Sequence, residues 1–354
     1  RQPGSSFKTF VLVTALQRGI QTNDKVNGEG PCEFPEETEP DGIYEANNFA
    51  NDDGEIAEIK DLLLSSSNCG FLKLGQISGL NNIISTARSM GIQSDMDPVI
   101  SLPLGVEEVS PMEMANAYGT LASGGIRREP YFIERIERLQ NDEWVPIYEH
   151  SEDDRYLPKR ILTETVACHA TDALWANVRQ GTGVRAGWPM GSQPAAGKTG
   201  TTNNNTDTWF IGFTSNLVVG VYIGYDNPSS LGKFETGSKT AMPVFKEFIK
   251  KTANTYNARP FKVADNIKMM VVDAKTGKKA NSKTKLPIIE SFKVKNSELN
   301  KQYNNFDSRF NTGESSVSYS GQVVRNLLIA EIKSSIGTAS TATLNSLFNN
   351  TLVL

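Results

Sequence analysis

Stretches of apolar residues separated by polar turns predict a chain of mixed helices and strands. Residues 9–16 are mostly apolar and follow a Pro-Gly pair, which predicts a helix that begins near Ser5. Residues 163–179 carry apolar positions at helical spacing and predict a long helix, whereas the apolar run 216–225 has the length of a strand. Further helices are predicted at 71–77, 81–90, 111–123 and 241–254, a hairpin at 131–148, and short strands within 261–295.

The remaining stretches are polar and divide the chain. Residues 20–56 are rich in Gly, Pro, Asn, Asp and Glu, which predicts a surface excursion with little regular structure. A helical pattern returns from 55 to 64. The end of the chain is rich in Asn, Ser and Thr, and we expect low order across most of it. We therefore predict a folded domain over residues 1–295 and a polar tail over 296–354.

Two strands joined by an Asn-rich turn are predicted within residues 197–213, because Asn tolerates the left-handed backbone of tight connections. The first strand places Lys198 beside Thr199 and Gly200. A cation, a hydroxyl and bare backbone at one place suit a ligand carboxylate. The same tripeptide recurs at 275–277, where the surrounding residues predict an ordinary hairpin turn.

Composition excludes several classes of function. The 354 residues include 36 Lys and Arg against 40 Asp and Glu, a net charge of −4, and no basic cluster dense enough to indicate nucleic-acid binding. No apolar run approaches the roughly 20 residues that span a bilayer. The first residue is Arg1 rather than Met, so we expect any signal peptide or membrane anchor to lie upstream of this sequence.

Cysteine and histidine are scarce. The three cysteines, Cys32, Cys69 and Cys168, do not predict a disulfide framework and lack the paired spacing of a zinc site, and Cys69 is expected to be a small buried residue. The only histidines are His150 and His169, and His169 is expected to be structural. Covalent chemistry, if present, would use a base other than histidine, and we expect no metal and no cofactor.

Ser5 and Lys8 lie one helical turn apart at the start of the first predicted helix. A serine hydroxyl becomes a nucleophile when a base takes its proton, and a lysine in a dry pocket can be that base. The helix N-terminus also offers N–H groups for a developing oxyanion. A structural alternative is a helix cap with a surface lysine, and Ser282–Lys285 repeats the spacing.

Ser66 and Asn68 form the second pair of interest. A hydroxyl and a carboxamide two positions apart can relay a proton and bind a substrate amide. The structural alternative is a helix cap or an Asx turn. Each of these short patterns is weak evidence when it stands alone.

The order of the patterns is far more specific than any one of them. Ser-x-x-Lys, Ser-x-Asn and Lys-Thr-Gly occur in the order that resembles the penicillin-recognising serine enzymes. Other segments look like the 1A-like class A penicillin-binding proteins; the matching segments are 1–8, 111–118, 179–183, 196–202 and 207–212. The resemblance covers roughly residues 1–295. It implies an α/β (α+β) transpeptidase fold, with an antiparallel sheet flanked by helices and an all-helical lobe beside it.

The resemblance also implies roles for the residues that match its motifs. Ser5 would attack the carbonyl of the penultimate D-alanine of a peptidoglycan stem peptide, and Lys8 would activate it. Ser66 would pass a proton to the leaving D-alanine, Asn68 would hold the substrate amide, and Lys198 would supply positive potential.

The rest of the third motif would bind the substrate. The hydroxyls of Thr199 and Thr201, on either side of Gly200, would hold the terminal carboxylate. The backbone N–H groups of Ser5 and Thr201 would form an oxyanion hole.

The implied activity is D,D-transpeptidation of stem peptides, with β-lactams as inhibitors that acylate Ser5. The alternatives are a D,D-carboxypeptidase or β-lactamase, in which water replaces the acceptor amine, and a penicillin-binding sensor or scaffold that does not turn over. Family members place sheet strands before the nucleophile helix, and only four residues precede Ser5. We therefore expect this sequence to be an N-terminally truncated domain. The resemblance also implies that its parent protein is anchored at the periplasmic face of the inner membrane.

Overall fold

The computed structural model describes residues 1–36, 39–183, 194–256, 260–273, 278–285 and 287–293. The predicted tail, residues 296–354, and the second Lys-Thr-Gly, residues 275–277, lie outside these ranges. Within them the α-helices are α1 Lys8–Gln17, α2 Ile59–Ser65, α3 Asn68–Ser78, α4 Leu80–Met90, α5 Pro111–Ala122, α6 Glu164–Gln180 and α7 Ala241–Thr252.

The strands in the described ranges pair in six antiparallel groups. They are β1 Lys25–Asn27, β2 Cys32–Pro35, β3 Ile43–Ala46, β4 Ile56–Glu58, β5 Ile126–Arg127, β6 Arg135–Gln140, β7 Glu143–Glu149, β8 Lys159–Arg160, β9 Ala196–Thr201, β10 Asp207–Phe213, β11 Val218–Gly224, β12 Ile267–Asp273 and β13 Pro287–Lys293. The mixed helix and strand content predicted from the sequence is confirmed.

A three-stranded sheet in the order β11-β10-β9 forms the centre of the fold. Every residue of β10 is buried, and its side chains alternate between the two faces as the strand period requires. Phe210 packs with Phe245 of α7 on one face, while Trp209 and Ile211 join the main core on the other. The predicted strand pair is confirmed, and the turn residue Asn204 has the expected left-handed backbone (φ 57°).

Helix α1 is buried on all sides, with its residues from Lys8 to Ala15 inaccessible to solvent. It packs against α3, α4 and α6, which form the helical part of the molecule. An apolar helix without a polar stripe is stable only at the centre of such a cluster. The nucleophile candidate and its lysine therefore lie at the junction between the helices and the sheet.

Most of the other predicted elements are present with shifted ends. Helix α5 begins with a capping box in which Ser110 and Glu113 bond each other's backbone N–H groups. The predicted hairpin is β6-β7, and Asn141 and Asp142 at its tip have positive φ. His169 is buried in α6, and its Nδ1 lies 2.9 Å from the hydroxyl of Ser291.

The excursion at residues 20–56 is more ordered than predicted. Strand β1 pairs with β4 and β2 pairs with β3, so short two-stranded ribbons replace the expected irregular loop. The pattern missed them because strands of three or four residues carry too few positions to show alternation. The helical pattern predicted from residue 55 likewise begins as strand β4 and becomes helix only at Ile59.

The cysteine prediction was wrong in one respect. Cys32 and Cys69 form a disulfide, with Cα atoms 5.8 Å apart, that ties β2 to the first turn of α3. Cys69 is fully buried, as expected, and Cys168 is free. The spacing of 37 residues carried no local signal for the bond, because only the packing of the excursion brings the two residues together. In the described part of the chain, no helix combines the length and apolar character needed to cross a bilayer.

Candidate active site

Ser5 lies in a 3-10 turn, Gly4–Phe7, that leads directly into α1. Gly4 has a positive φ of 54°, and a Cβ there would lie 2.7 Å from the carbonyl oxygen of Thr201 on β9. The turn is further held by Tyr118, whose hydroxyl donates to the carbonyl of Ser6 at 2.7 Å and lies 2.6 Å from the hydroxyl of Thr9. Ser5 is therefore presented on a fixed turn that packs against the edge strand of the sheet.

Ser66 lies in the short connection between α2 and α3. Its backbone is left-handed (φ 59°, ψ 39°), a conformation that is strained for a residue with a side chain. The next residue, Ser67, caps α3 by accepting a hydrogen bond from the N–H of Gly70 at 3.0 Å. The cap predicted as the structural alternative for this segment is thus made by Ser67, which leaves the side chains of Ser66 and Asn68 free to face α1.

Strand β9 carries Lys198, Thr199, Gly200 and Thr201, and it closely approaches the turn that carries Ser5. A Cβ on Gly200 would lie 2.2 Å from the carbonyl oxygen of Pro3, so only glycine permits this contact. The indole N–H of Trp209 on the neighbouring strand donates to the carbonyl of Gln2 at 2.8 Å. The third motif and the first are therefore packed backbone to backbone.

The amine of Lys8 bonds the second motif. Its Nζ donates to the carbonyl of Ser66 at 2.7 Å and to the side-chain oxygen of Asn68 at 2.8 Å, and it lies 3.4 Å from the Ser66 Oγ. The side chain is fully buried. This geometry excludes the alternative of a surface lysine.

The amine of Lys198 reaches the same serine from the other side. Its Nζ donates to the Ser66 Oγ at 2.9 Å and contacts the carbonyl of its neighbour Thr199 at 3.3 Å. The Ser66 hydroxyl therefore lies between two buried amines, one from each of the other motifs. A hydroxyl both accepts and donates, so it can pass a proton between groups on its two sides.

Burial changes the protonation of both lysines. It lowers the pKa of Lys198 to about 7. It also lowers the pKa of Lys8 well below its ordinary value, and the nearby charge of Lys198 lowers it further. A desolvated amine favours its neutral form, and a second cation close by disfavours protonation again. The lowered pKa of Lys8 favours its neutral form, which proton abstraction from a serine requires. Lys198, with a pKa of about 7, keeps part of its positive charge at neutral pH.

Thr182 joins the site although the pattern analysis assigned it no role. Its hydroxyl lies 2.8 Å from the Thr199 hydroxyl and contacts the side-chain oxygen of Asn177 at 3.4 Å. Asn177 in turn donates to the carbonyl of Gly197 at 2.9 Å. The available signal was segment 179–183, which resembles the class A penicillin-binding proteins but gave Thr182 no assigned role.

A cavity of about 290 Å³ opens where these elements meet. Its wall includes Ser5, Ser66, Asn68, Thr199 and Thr201, so five of the eight predicted site residues share one space. Lys8 and Lys198 lie behind the wall, because both are fully buried and bond residues that form it. The structure thus brings the three motifs into a single site.

An ion pair joins the first residue of the chain to strand β10. The guanidinium of Arg1 lies 2.9 Å from a carboxylate oxygen of Asp207, which also accepts from the hydroxyl of Tyr222 at 2.9 Å. Burial alone would raise the pKa of Asp207, but the hydrogen bonds from Tyr222, Arg1 and Thr206 and the charge of Arg1 lower it below its usual value. The sequence singled out Asp207 only as part of a motif and gave no hint of this pairing.

No group of three or more potential metal ligands occurs among the residues that the structure describes.

Comparison with known proteins shows the family to which a chain with this site belongs. Residues 1–250 match the family described as the penicillin-binding protein transpeptidase domain. The chain belongs to this family. It is 35% identical over 330 residues to penicillin-binding protein 1A of Rickettsia felis, a match that covers 88% of this chain and 40% of that protein.

Solved structures show the same fold. Penicillin-binding protein 1A from Haemophilus influenzae superposes with a TM-score of 0.70 at 23% identity, covering 82% of this chain and 48% of the other. PonA1 from Mycobacterium tuberculosis, solved in complex with penicillin V, superposes with a TM-score of 0.63 at 25% identity, covering 74% of this chain and 71% of the other. These matches confirm the predicted transpeptidase fold and the resemblance to the 1A-like proteins. The chain spans less than half the length of the 1A relative from Rickettsia felis.

Proposed function

We propose that this transpeptidase domain is a serine D,D-transpeptidase that cross-links peptidoglycan stem peptides through an acyl-enzyme on Ser5. The observation that carries the proposal is the placement of the Ser66 hydroxyl between the amines of Lys8 and Lys198. A site built only for binding would not need two buried amines with lowered pKa values around one hydroxyl. Membership of the family supports the same reaction.

In the first half-reaction Ser5 attacks the carbonyl of the penultimate D-alanine. Its Oγ–C bond forms as its proton passes to the neutral amine of Lys8, one turn along the helix. The backbone N–H groups of Ser5 and Thr201 then stabilise the oxyanion, a kind of contact whose loss costs roughly 3–4 kcal/mol in other enzymes.

Collapse of this intermediate breaks the amide bond, and the leaving amine of the terminal D-alanine needs a proton. Ser66 supplies it from its hydroxyl and is reprotonated by the adjacent lysine amines, which lie 2.9 and 3.4 Å away. In the second half-reaction an amine of another stem peptide attacks the ester carbonyl and loses its proton to neutral Lys8, directly or through the Ser66 hydroxyl. The ester C–O bond then breaks, and this proton returns to the Ser5 oxygen as the cross-link is released.

Substrate binding is assigned to the side chains around this centre. Thr199 and Thr201 bind the terminal carboxylate, and Lys198 supplies positive potential. Gly200 keeps the strand close enough to the nucleophile turn for both to contact one substrate. Asn68 binds the substrate amide through its carboxamide.

The proposal also includes the cellular compartment of the protein and the class of compounds that inhibit it. A disulfide between Cys32 and Cys69 fits an oxidising compartment, which supports an extracytoplasmic, periplasmic location. The PonA1 complex with penicillin V supports β-lactams as ligands that acylate Ser5.

The test is intact-protein mass spectrometry after incubation with benzylpenicillin, with Ser5→Ala beside the parent chain. We expect an adduct with the full mass of the drug on the parent, and none on the variant. Ser6→Ala is the matched control, because the Ser6 hydroxyl donates to the carbonyl of Pro3 and does not face the cavity. An adduct on Ser5→Ala, or none on the folded parent, would contradict the proposal. Rapid loss of the adduct to hydrolysed drug would instead indicate a β-lactamase.

A further inference from the structure

Asn48 is a buried asparagine that contacts the second motif from the excursion. It lies between β3 and β4, twenty residues before Asn68, and its side chain is 6% exposed. Its carboxamide oxygen accepts from the backbone N–H groups of Asn68 at 2.9 Å and Cys69 at 3.1 Å, and from the hydroxyl of Ser67 at 3.1 Å. One oxygen therefore serves three donors at the start of α3.

Two of these donors, the N–H groups of Asn68 and Cys69, are among those that a helix start leaves without partners. Ser67 satisfies the N–H of Gly70 at 3.0 Å, and Asn48 satisfies the two before it. The first turn of α3 is therefore capped by two side chains, one local and one from a distant segment. This arrangement fixes the position of the helix start relative to the excursion, not only its local geometry.

The nitrogen of the same carboxamide fixes its orientation. The Nδ2 of Asn48 donates to the carbonyl of Gly28 at 2.8 Å, so the oxygen must face α3. Gly54 packs against this contact, since a Cβ there would lie 2.7 Å from the Asn48 Nδ2. The disulfide from Cys32 to Cys69 joins the excursion to the same helix turn.

Asn47, the residue before Asn48, orients the side chain of Asn68. The carbonyl of Asn47 accepts from the Nδ2 of Asn68 at 2.9 Å, which turns the Asn68 Oδ1 toward the amine of Lys8 at 2.8 Å. Ser66, two residues before Asn68, has a left-handed backbone. Such strain persists only where the surroundings over-determine it, and the contacts of Asn47 and Asn48 supply that constraint.

We propose that Asn48 is a positioning residue for acyl transfer. Its carboxamide, together with the Asn47 carbonyl, sets where Ser66 and Asn68 stand relative to Lys8. The inference rests on the proposed function, because it assigns Asn48 an effect on the acylation of Ser5.

The test compares Asn48→Leu and Asn48→Asp for acylation by a fluorescent penicillin, resolving the acylation rate constant from the binding constant. Leucine keeps the shape and loses every hydrogen bond, whereas aspartate keeps an acceptor for the three donors and loses the bond to Gly28. We expect the leucine variant to acylate about 100-fold more slowly with little change in binding, the scale of a small misplacement of reacting groups. The aspartate variant should acylate at least about tenfold faster than the leucine variant.

Thr86→Val is the matched control. Thr86 is buried on α4 and donates to the side chain of Gln17 at 3.0 Å, so its loss lowers stability away from the site. We expect it to acylate at the parent rate at a temperature where both are folded. If the leucine variant does not fold, Asn48→Ser replaces it and should show the same loss in the acylation step. A folded leucine or serine variant with the parent rate would overturn the inference while leaving the proposed function intact, and a parent chain that does not acylate would overturn both.

Discussion

The Nζ of Lys198 donates to the Oγ of Ser66 at 2.9 Å, across 132 positions of sequence. This contact joins the strand that carries the third motif to the connection that carries the second. Because Lys8 approaches the same residue from α1, the hydroxyl is shared by all three motifs. The chemistry of the site therefore depends on the charge of both amines, and the first prediction follows from that dependence.

Lys198→Met should slow acylation at pH 7 by about 100-fold, the scale of losing one group that stabilises charge in the transition state. It should also move the acid limb of the pH–rate profile. Burial is the larger cause of the lowered pKa of Lys8 and remains in the variant, but the charge of Lys198 is removed. Protonated Lys8 is then less disfavoured, its pKa rises, and the neutral base appears only at higher pH.

The measurement is the acylation rate constant with a chromogenic β-lactam between pH 5 and pH 9. Lys159→Met is the control, because Lys159 is exposed on β8, and it should leave the profile unchanged. An acid limb that stays in place, or moves to lower pH, would contradict the electrostatic link between the two lysines.

Asp207→Asn should destabilise the domain by about 1–3 kcal/mol at pH 7, because it leaves the Arg1 guanidinium without its charged partner. The pKa of Asp207 is lowered in the folded state, so its stabilising contribution is present above the ordinary value of 3.8 and is lost as pH falls through the folded value. The difference between variant and parent should therefore shrink on acidification.

Urea unfolding of both proteins at pH 7 and pH 3 measures this difference. The control is Asp95→Asn, which breaks an exposed pair with Arg88 at 3.8 Å and should change the free energy of unfolding by less than about 1 kcal/mol. An equal penalty for Asp207→Asn at both values of pH would show that the ionised carboxylate is not what stabilises this contact.

Reduction of the Cys32–Cys69 disulfide should lower the free energy of unfolding by about 3–4 kcal/mol, since the bond closes a loop of 37 residues. The rate of acylation should fall as well, because Cys69 directly follows Asn68. Urea unfolding and penicillin acylation, each with and without dithiothreitol, test both effects.

The double variant Cys32→Ala/Cys69→Ala provides the control for reduction. It should already show the lower stability and should not respond to dithiothreitol, since Cys168 is free. A parent protein whose unfolding midpoint is unchanged by the reductant would contradict a structural role for the bond.

Gly200→Ala should reduce acylation by about 100-fold and destabilise the domain by about 1–3 kcal/mol. The added Cβ would lie 2.2 Å from the carbonyl oxygen of Pro3, so either the strand or the turn that carries Ser5 must move. Acylation rates and thermal unfolding of the variant measure both effects.

Gly119→Ala is the matched control for this substitution. Gly119 lies within α5, and its added Cβ would meet only a methyl group of Val218 at 3.9 Å. Alanine should stabilise that helix by up to about 1 kcal/mol and leave acylation unchanged. A Gly200→Ala protein with parent acylation would mean that the close approach of β9 to Pro3 is not needed for the reaction.

The sequence by itself determined the elements and the candidate residues of the three motifs. Apolar spacing over several turns located α6, and the Asn-rich turn at residues 203–206 located the strand pair β9-β10. The order of Ser5, Ser66 and Lys198 along the chain indicated the family, because three weak patterns in one order are rarely accidental. These signals are local or depend only on order, so no folding was needed to detect them.

The tertiary structure decided what those residues do to one another. Only packing shows that Lys8 is fully buried and that Ser66 lies between two amines, because these contacts join segments 58 and 132 positions apart. The same holds for the Cys32–Cys69 bond and for Asn48, whose partners come from another segment. A pKa or a hydrogen bond depends on the groups within a few ångströms, and their identity is fixed only when the chain folds.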